Sequence, residues 1–139
     1  LIPFVKQFIR ASLVPYFNEN GELAIGYGQT IGVISATTWT QEQADEDLKQ
    51  QLSNTKRLLL AKFPGANSLN TYQTNALVSL LSDVGVTKLR YSSLAVHLEE
   101  RNYPAVCKAI MQFNLNGRVV SAKKTTRRHA EQVLFNKRK

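Results

Sequence analysis

Apolar residues follow two different periods along this chain. Val5, Phe8, Ile9 and Leu13 are spaced as on one face of a helix, so residues 2–13 are predicted as an amphipathic helix that Pro15 ends. From Tyr16 to Val33 the helical period is lost and the segment reads as β. Asn20-Gly21 is a strong signal for a two-residue turn in which both positions take positive φ. Gly26, Gly28 and Gly32 loosen the later strand, marking bends or a close backbone approach. The helical period then returns. Thr40 and Gln43 have capping-box spacing, and Trp39 is placed to staple against Ala44. Ala44, Leu48, Leu52 and Leu59 fall near one face of a long helix that Pro64-Gly65 stops.

Shorter helices are predicted after it. Asn70 and Gln73 form a second capping box ahead of Tyr72, Ala76, Leu77, Leu80 and Leu81, and Gly85 closes that helix. Ser92 or Ser93 caps a helix with Leu94, Val96 and Leu98. Pro104 suits the first turn of one with Val106, Ala109, Ile110 and Phe113. Asn116-Gly117 is a turn, and Thr125 or Thr126 opens a last helix with Ala130, Val133 and Leu134. No internal repeat, low-complexity tract or linker interrupts the pattern.

Composition narrows the class. A chain of 139 residues is most simply one domain, long enough to bury a core, and its 43% hydrophobic and 20% charged residues suit a globular protein. Its apolar runs are too short to span a membrane. It starts at Leu1 rather than Met, which leaves open an upstream leader, anchor or domain. A net charge of +8 attracts polyanions: wall polymers, nucleic acid or anionic lipid. Cys107 is the single cysteine, so no intrachain disulfide forms. Its place in AVCKAIMQF reads as the inner face of a helix and a buried, inert thiol. His97 and His129 stand on different predicted helices without metal-ligand spacing, so no metal and no cofactor is expected.

The segment Pro15–Thr30, PYFNENGELAIGYGQT, resembles the active-site hairpin of the phage-type lysozymes, the endolysin muramidases. Tyr16, Gly21, Ile25, Gly26, Tyr27, Gly28 and Thr30 match its frame. The likeness extends along the chain. WTQEQADEDL is similar to the start of the family's connecting helix. In YQTNALVSLLSDVG, Gln73, Ala76, Leu77, Ser79 and Gly85 match, while Asp83 stands where asparagine is usual and Ser82 replaces an aromatic residue. Arg127-Arg128 and Glu131 resemble a C-terminal Arg-Arg–x–x–Glu, with Lys123-Lys124 in place of the usual Gly-Leu. The implied fold is α+β, mostly α: a lysozyme-like, two-lobed single domain over residues 1–139. Residues 1–40 would form a helix plus β-hairpin lobe, 41–62 the connecting helix, and 63–139 the C-terminal helical lobe.

The resemblance also implies where chemistry should sit. The family's general acid lies seven residues before the hairpin tyrosine, at Ile9. Its second carboxylate falls on Asn18, its threonine on Ala24 and its histidine on Gln29. Glycoside hydrolysis needs one group to protonate the leaving oxygen and another to activate water or attack the sugar. Ile9 carries no proton, Asn18 no charge, Ala24 no hydroxyl, and Gln29 does not titrate. Glu19 and Glu22, beside the turn, are weak candidates to replace the lost acids. Glu42, Asp45, Glu46 and Asp47 read as a solvated face complementing a helix dipole. Asp83 reads as a helix-end residue.

The expectation is therefore a non-catalytic, lysozyme-like protein of phage type. It would keep an interlobe groove, with Tyr16, Asn18, Tyr27, Gln29, Gln73 and Asp83 as candidate binding residues, for peptidoglycan or a partner protein. It would reside in a phage particle, or in host cytoplasm or periplasm acting toward the wall. Lys123, Lys124, Arg127 and Arg128 form a candidate polyanion patch, extended by the Lys137–Lys139 tail, with Arg127 and Arg128 also placed to pair with Glu131. Two other readings stay open: an active muramidase with a displaced carboxylate, and a basic adaptor for nucleic acid or another polyanion.

Overall fold

The computed structural model describes residues 1–138; Lys139, the last residue of the basic tail, lies outside the described residues. The chain divides into two compact units, Leu1–Ser53 and Asn54–Lys139. The first holds α1 (Ile2–Lys6), β1 (Ser12–Phe17), β2 (Leu23–Gly26) and the first half of α2 (Gln41–Lys62). The second holds the rest of α2, then α3 (Thr71–Val84), α4 (Val86–Arg90), α5 (Ser93–Glu99), α6 (Tyr103–Ile110), the short strands β3 (Leu115–Asn116) and β4 (Val119–Val120), and α7 (Ala122–Phe135). The protein is α+β and mostly α.

In the first unit, helix α1 is shorter than the predicted 2–13. It ends at Lys6, a turn follows, and β1 has begun by Ser12. Pro15 does not end a helix. It lies inside β1, where the pairing with β2 slips between the Ser12–Gly26 and Tyr16–Ala24 partners. A residue without an N–H fits such an irregularity. The apolar spacing from Val5 to Leu13 therefore spans a helix, a turn and a strand. Val5 is buried, while Leu13 and Val14 are exposed.

The hairpin turn also differs from expectation. Gly21 has φ +77°, but Asn20 stays at negative φ. The Gly21 N–H donates to the Asn18 carbonyl at 3.0 Å and the Asn18 N–H to the Glu22 carbonyl at 2.9 Å, which makes a three-residue loop of Glu19, Asn20 and Gly21. The segment after β2 turns rather than extends, with a single bridge between Ile25 and Gln29. Gly26 answers to both of its predicted roles. It has φ +65°, and a Cβ there would stand 2.7 Å from the Trp39 ring, so the indole lies directly over the backbone with Ala44 beside it.

Both capping boxes form. Thr40 Oγ1 accepts from the Gln43 N–H and Gln43 Oε1 from the Thr40 N–H; Asn70 and Gln73 make the same reciprocal pair. Ala44, Leu48, Leu52 and Leu59 of α2 are all buried. Gly85 closes α3 at φ +90°, and Pro104 sits in the first turn of α6. In the second unit α3 packs against α7, and α5 against α6. Helix α7 starts earlier than the threonines suggested. Ser121 is its N-cap, accepting from the Lys124 N–H at 3.2 Å. Thr125 and Thr126 instead lie within the helix, where their hydroxyls bond the Ser121 and Ala122 carbonyls.

Candidate functional site

The four positions where the resemblance places catalytic groups all lie in the first unit, and three of them are tied into its framework. Ile9 is half-buried in the segment between α1 and β1, not on a helix end. Asn18 follows β1 directly. Its Oδ1 accepts from the Asn20 N–H at 2.9 Å and the Glu22 N–H at 3.0 Å, so this carboxamide satisfies the hairpin loop. Ala24 is fully buried and pairs with Tyr16 across the hairpin. Gln29 is used at both ends. Its Oε1 accepts from the Thr30 and Ile31 N–H groups at 3.1 and 3.0 Å, and its Nε2 donates to Asp47 of α2 at 2.9 Å.

Asp45 and Asp47 are not the free, solvated face that the sequence suggested. Asp45 pairs with Lys6 at 2.8 Å and accepts from Gln41 and the Tyr27 hydroxyl. The Lys6 hydrogen bond, then that of Gln41, holds the Asp45 carboxyl below its ordinary range, and Asp45 in turn raises the Lys6 ammonium. The Lys6 ammonium also lies 5.7 Å from the centre of the Tyr27 ring. Asp47 accepts from Gln51 as well as Gln29. Two carboxylates of α2 thus fasten α1 and the post-hairpin turn to the helix. No local pattern signals these ties, because Lys6 and Gln29 are far along the chain from Asp45 and Asp47 and Lys6 belongs to no motif.

Glu19 and Glu22 are both exposed, one in the hairpin loop and one beside it.

The proposed binding residues divide. Tyr16 is 38% exposed on β1. Tyr27 spends its hydroxyl on α2, Gln29 its amide on α2 and its own turn, Asn18 its amide on its own loop, and Gln73 its amide on the cap of α3. Asp83 reaches α7, where it pairs with Arg128 at 3.0 Å and Arg127 at 3.9 Å. It belongs to an internal ionic cluster rather than to a helix cap.

That cluster revises the basic patch. Arg127 and Arg128 are buried, at 6% and 0% exposed, as is Glu131 at 0%. Arg128 Nε lies 2.6 Å from Glu131 Oε1 and Arg127 Nε 3.5 Å from Glu131 Oε2, while Ser79 Oγ donates to Glu131. Burial pushes the Arg127 guanidinium down and the Glu131 carboxyl up, outweighing their attraction. The two arginines are spent on structure and are not part of an exposed cationic surface. Lys123 is exposed, and Lys124 is half-buried with its ammonium on the Leu115 carbonyl. Cys107 is buried, and burial raises its thiol above the ordinary value. It sits in a shallow cavity of about 400 Å³ lined also by Pro104, Lys108, His129 and Gln132.

The comparisons with known proteins point to one family. Residues 6–131 match the phage lysozyme family. An endolysin of Acyrthosiphon pisum secondary endosymbiont phage 1 is 27% identical over 137 residues, spanning 94% of this chain and 91% of its own. Among solved structures, the muramidase domain of SpmX from Asticaccaulis excentricus superposes with a TM-score of 0.89 at 23% identity, covering 99% of this chain and 95% of that one. A mutant of P22 lysozyme superposes at 0.83 with 27% identity, covering 96% and 93%. With the hairpin frame, the α2 cap and the Arg-Arg–x–x–Glu cluster all in place, the chain belongs to the phage lysozyme family.

Proposed function

We propose that this family member is non-catalytic and acts by binding, with cell-wall peptidoglycan as the first ligand and a partner protein, in a virion or at the wall, as the second. One observation carries the reading. Each position where the family resemblance puts a reacting group holds a residue without that chemistry, and Asn18 and Gln29 are committed to backbone and helix hydrogen bonds instead. Losing one acid–base group typically costs about 10²–10⁴ in rate, and groups that act as a unit are not additive. What a lysozyme frame retains without them is a shaped surface, and family membership supports glycan as what that surface meets.

The test has two arms. In a turbidity assay on permeabilised cells the protein gives no lysis above buffer. On insoluble peptidoglycan it is retained, and the retention persists as salt is raised. Lysis that disappears in Glu19→Gln or Glu22→Gln overturns the reading in favour of a displaced carboxylate. Retention that collapses as salt rises reduces wall binding to charge alone.

A further inference from the structure

Positive charge is unevenly placed. Residues 1–53 contain three Lys or Arg against six Asp or Glu, and residues 54–139 contain fifteen against four. Two of those four acids, Asp83 and Glu131, are spent on Arg127 and Arg128. No acidic residue lies between Glu100 and Glu131. In the middle of that stretch stands the β3–β4 hairpin, closed at its base by the Ser121 N–H to the Asn114 carbonyl at 2.8 Å. Every residue from Leu115 to Val120 is exposed. Val119 is 70% and Val120 63% exposed, with Leu115 at 42%, and Arg118, Lys123 and Lys124 flank them.

We propose that this hairpin is a membrane-surface docking element: the valines enter the headgroup–acyl boundary and the cations hold anionic phospholipid headgroups. Exposed aliphatic side chains on a tight hairpin beside cationic side chains have the composition of an interfacial anchor. Charge complementarity selects an anionic surface. The apolar chemistry then selects lipid over nucleic acid. Bases need aromatic platforms to stack on, and between residues 101 and 130 the aromatics are Tyr103 and Phe113 alone, both half-buried, with the Tyr103 hydroxyl on Ser68. Lys124 bonds the Leu115 carbonyl, which keeps a positive charge at the base of the hairpin.

Vesicle co-sedimentation of the full chain tests the proposal. The protein should pellet with phosphatidylcholine–phosphatidylglycerol vesicles and stay in solution with phosphatidylcholine alone. Val119→Asp/Val120→Asp should abolish pelleting, and Lys123→Gln should weaken it roughly fivefold, the value of one cation near an anionic surface. All these side chains are exposed, so circular dichroism melts should match the parent and separate lost binding from lost folding. Pelleting that is unchanged in the valine variant, or equal on neutral vesicles, overturns the proposal. So does retention on single-stranded DNA with no vesicle binding, which would make the surface a site for nucleic acid.

Discussion

A single side chain can show whether a family's catalytic position is still a chemical site. Asn18 is the clearest case. Its carboxamide oxygen carries two backbone donors of the hairpin loop, a job that aspartate does equally well. Asn18→Asp should therefore fold like the parent, and on the proposed reading it should still give no lysis, because Ile9 stands where the resemblance puts the partner acid. Asn18→Ala strips both acceptor contacts and should cost about 1 kcal/mol, as removing a capping side chain does. Urea denaturation of the two variants distinguishes these roles. A destabilised Asn18→Asp would mean that the loop depends on the neutral amide. Ile9 has the opposite character. It is half-buried, so Ile9→Glu exchanges apolar burial for a charged group and should lower stability by about 1 kcal/mol. An unchanged or raised melting temperature would show that this position still suits a carboxylate.

Among the elements, legibility followed the range of the interactions. The caps of α2 and α3 could be read because both partners of each box lie three residues apart. The end of α1 could not. Val5, Phe8, Ile9 and Leu13 satisfy a helical period by coincidence, while the backbone leaves the helix after Lys6. Helix α1 also makes a remote contact, the Lys6–Asp45 pair, which no local pattern announces. Its pH signature follows from the two shifts. Asp45 is depressed, so its contribution is present above the ordinary carboxyl value of 3.8 and is lost as pH falls through the lower folded value. Lys6 is raised, so its contribution is present below the ordinary 10.5 and is lost as pH rises through the folded value. Asp45→Asn should flatten the acid limb of the melting curve below pH 3.8, and should do so less in high salt, since both groups are exposed and screened. An acid limb identical in parent and variant at low salt would remove the pair as a determinant of α1.

For the molecule as a whole, the hairpin, long helix and C-terminal Arg-Arg–x–x–Glu were enough to identify the fold, because those motifs occur in the right order over nearly the entire chain. The chemistry within them was less visible, because burial cannot be read from charge. Arg127 and Arg128 look like surface cations in the sequence and prove to be among the least exposed residues. Their cluster joins α3 to α7 through Ser79, Asp83 and Glu131. Glu131 and Asp83 make unequal contributions there. Glu131 is fully buried and touches both guanidinium groups. Glu131→Gln would remove the carboxylate that both buried guanidinium groups share, a loss that for buried pairs costs roughly 3–5 kcal/mol. At a few degrees per kcal/mol for a chain of this size, the melting temperature should fall by roughly 10 °C or more. The Asp83 side chain is 30% exposed, so water can replace part of what Asp83→Asn removes and the cost should be about 1 kcal/mol. Asparagine is also the residue that the family pattern has there. Thermal melts of the two variants at neutral pH decide the matter: a loss as large in Asp83→Asn as in Glu131→Gln would mean that neutralising the second arginine, rather than burying the carboxylate, is what stabilises the packing of α3 on α7.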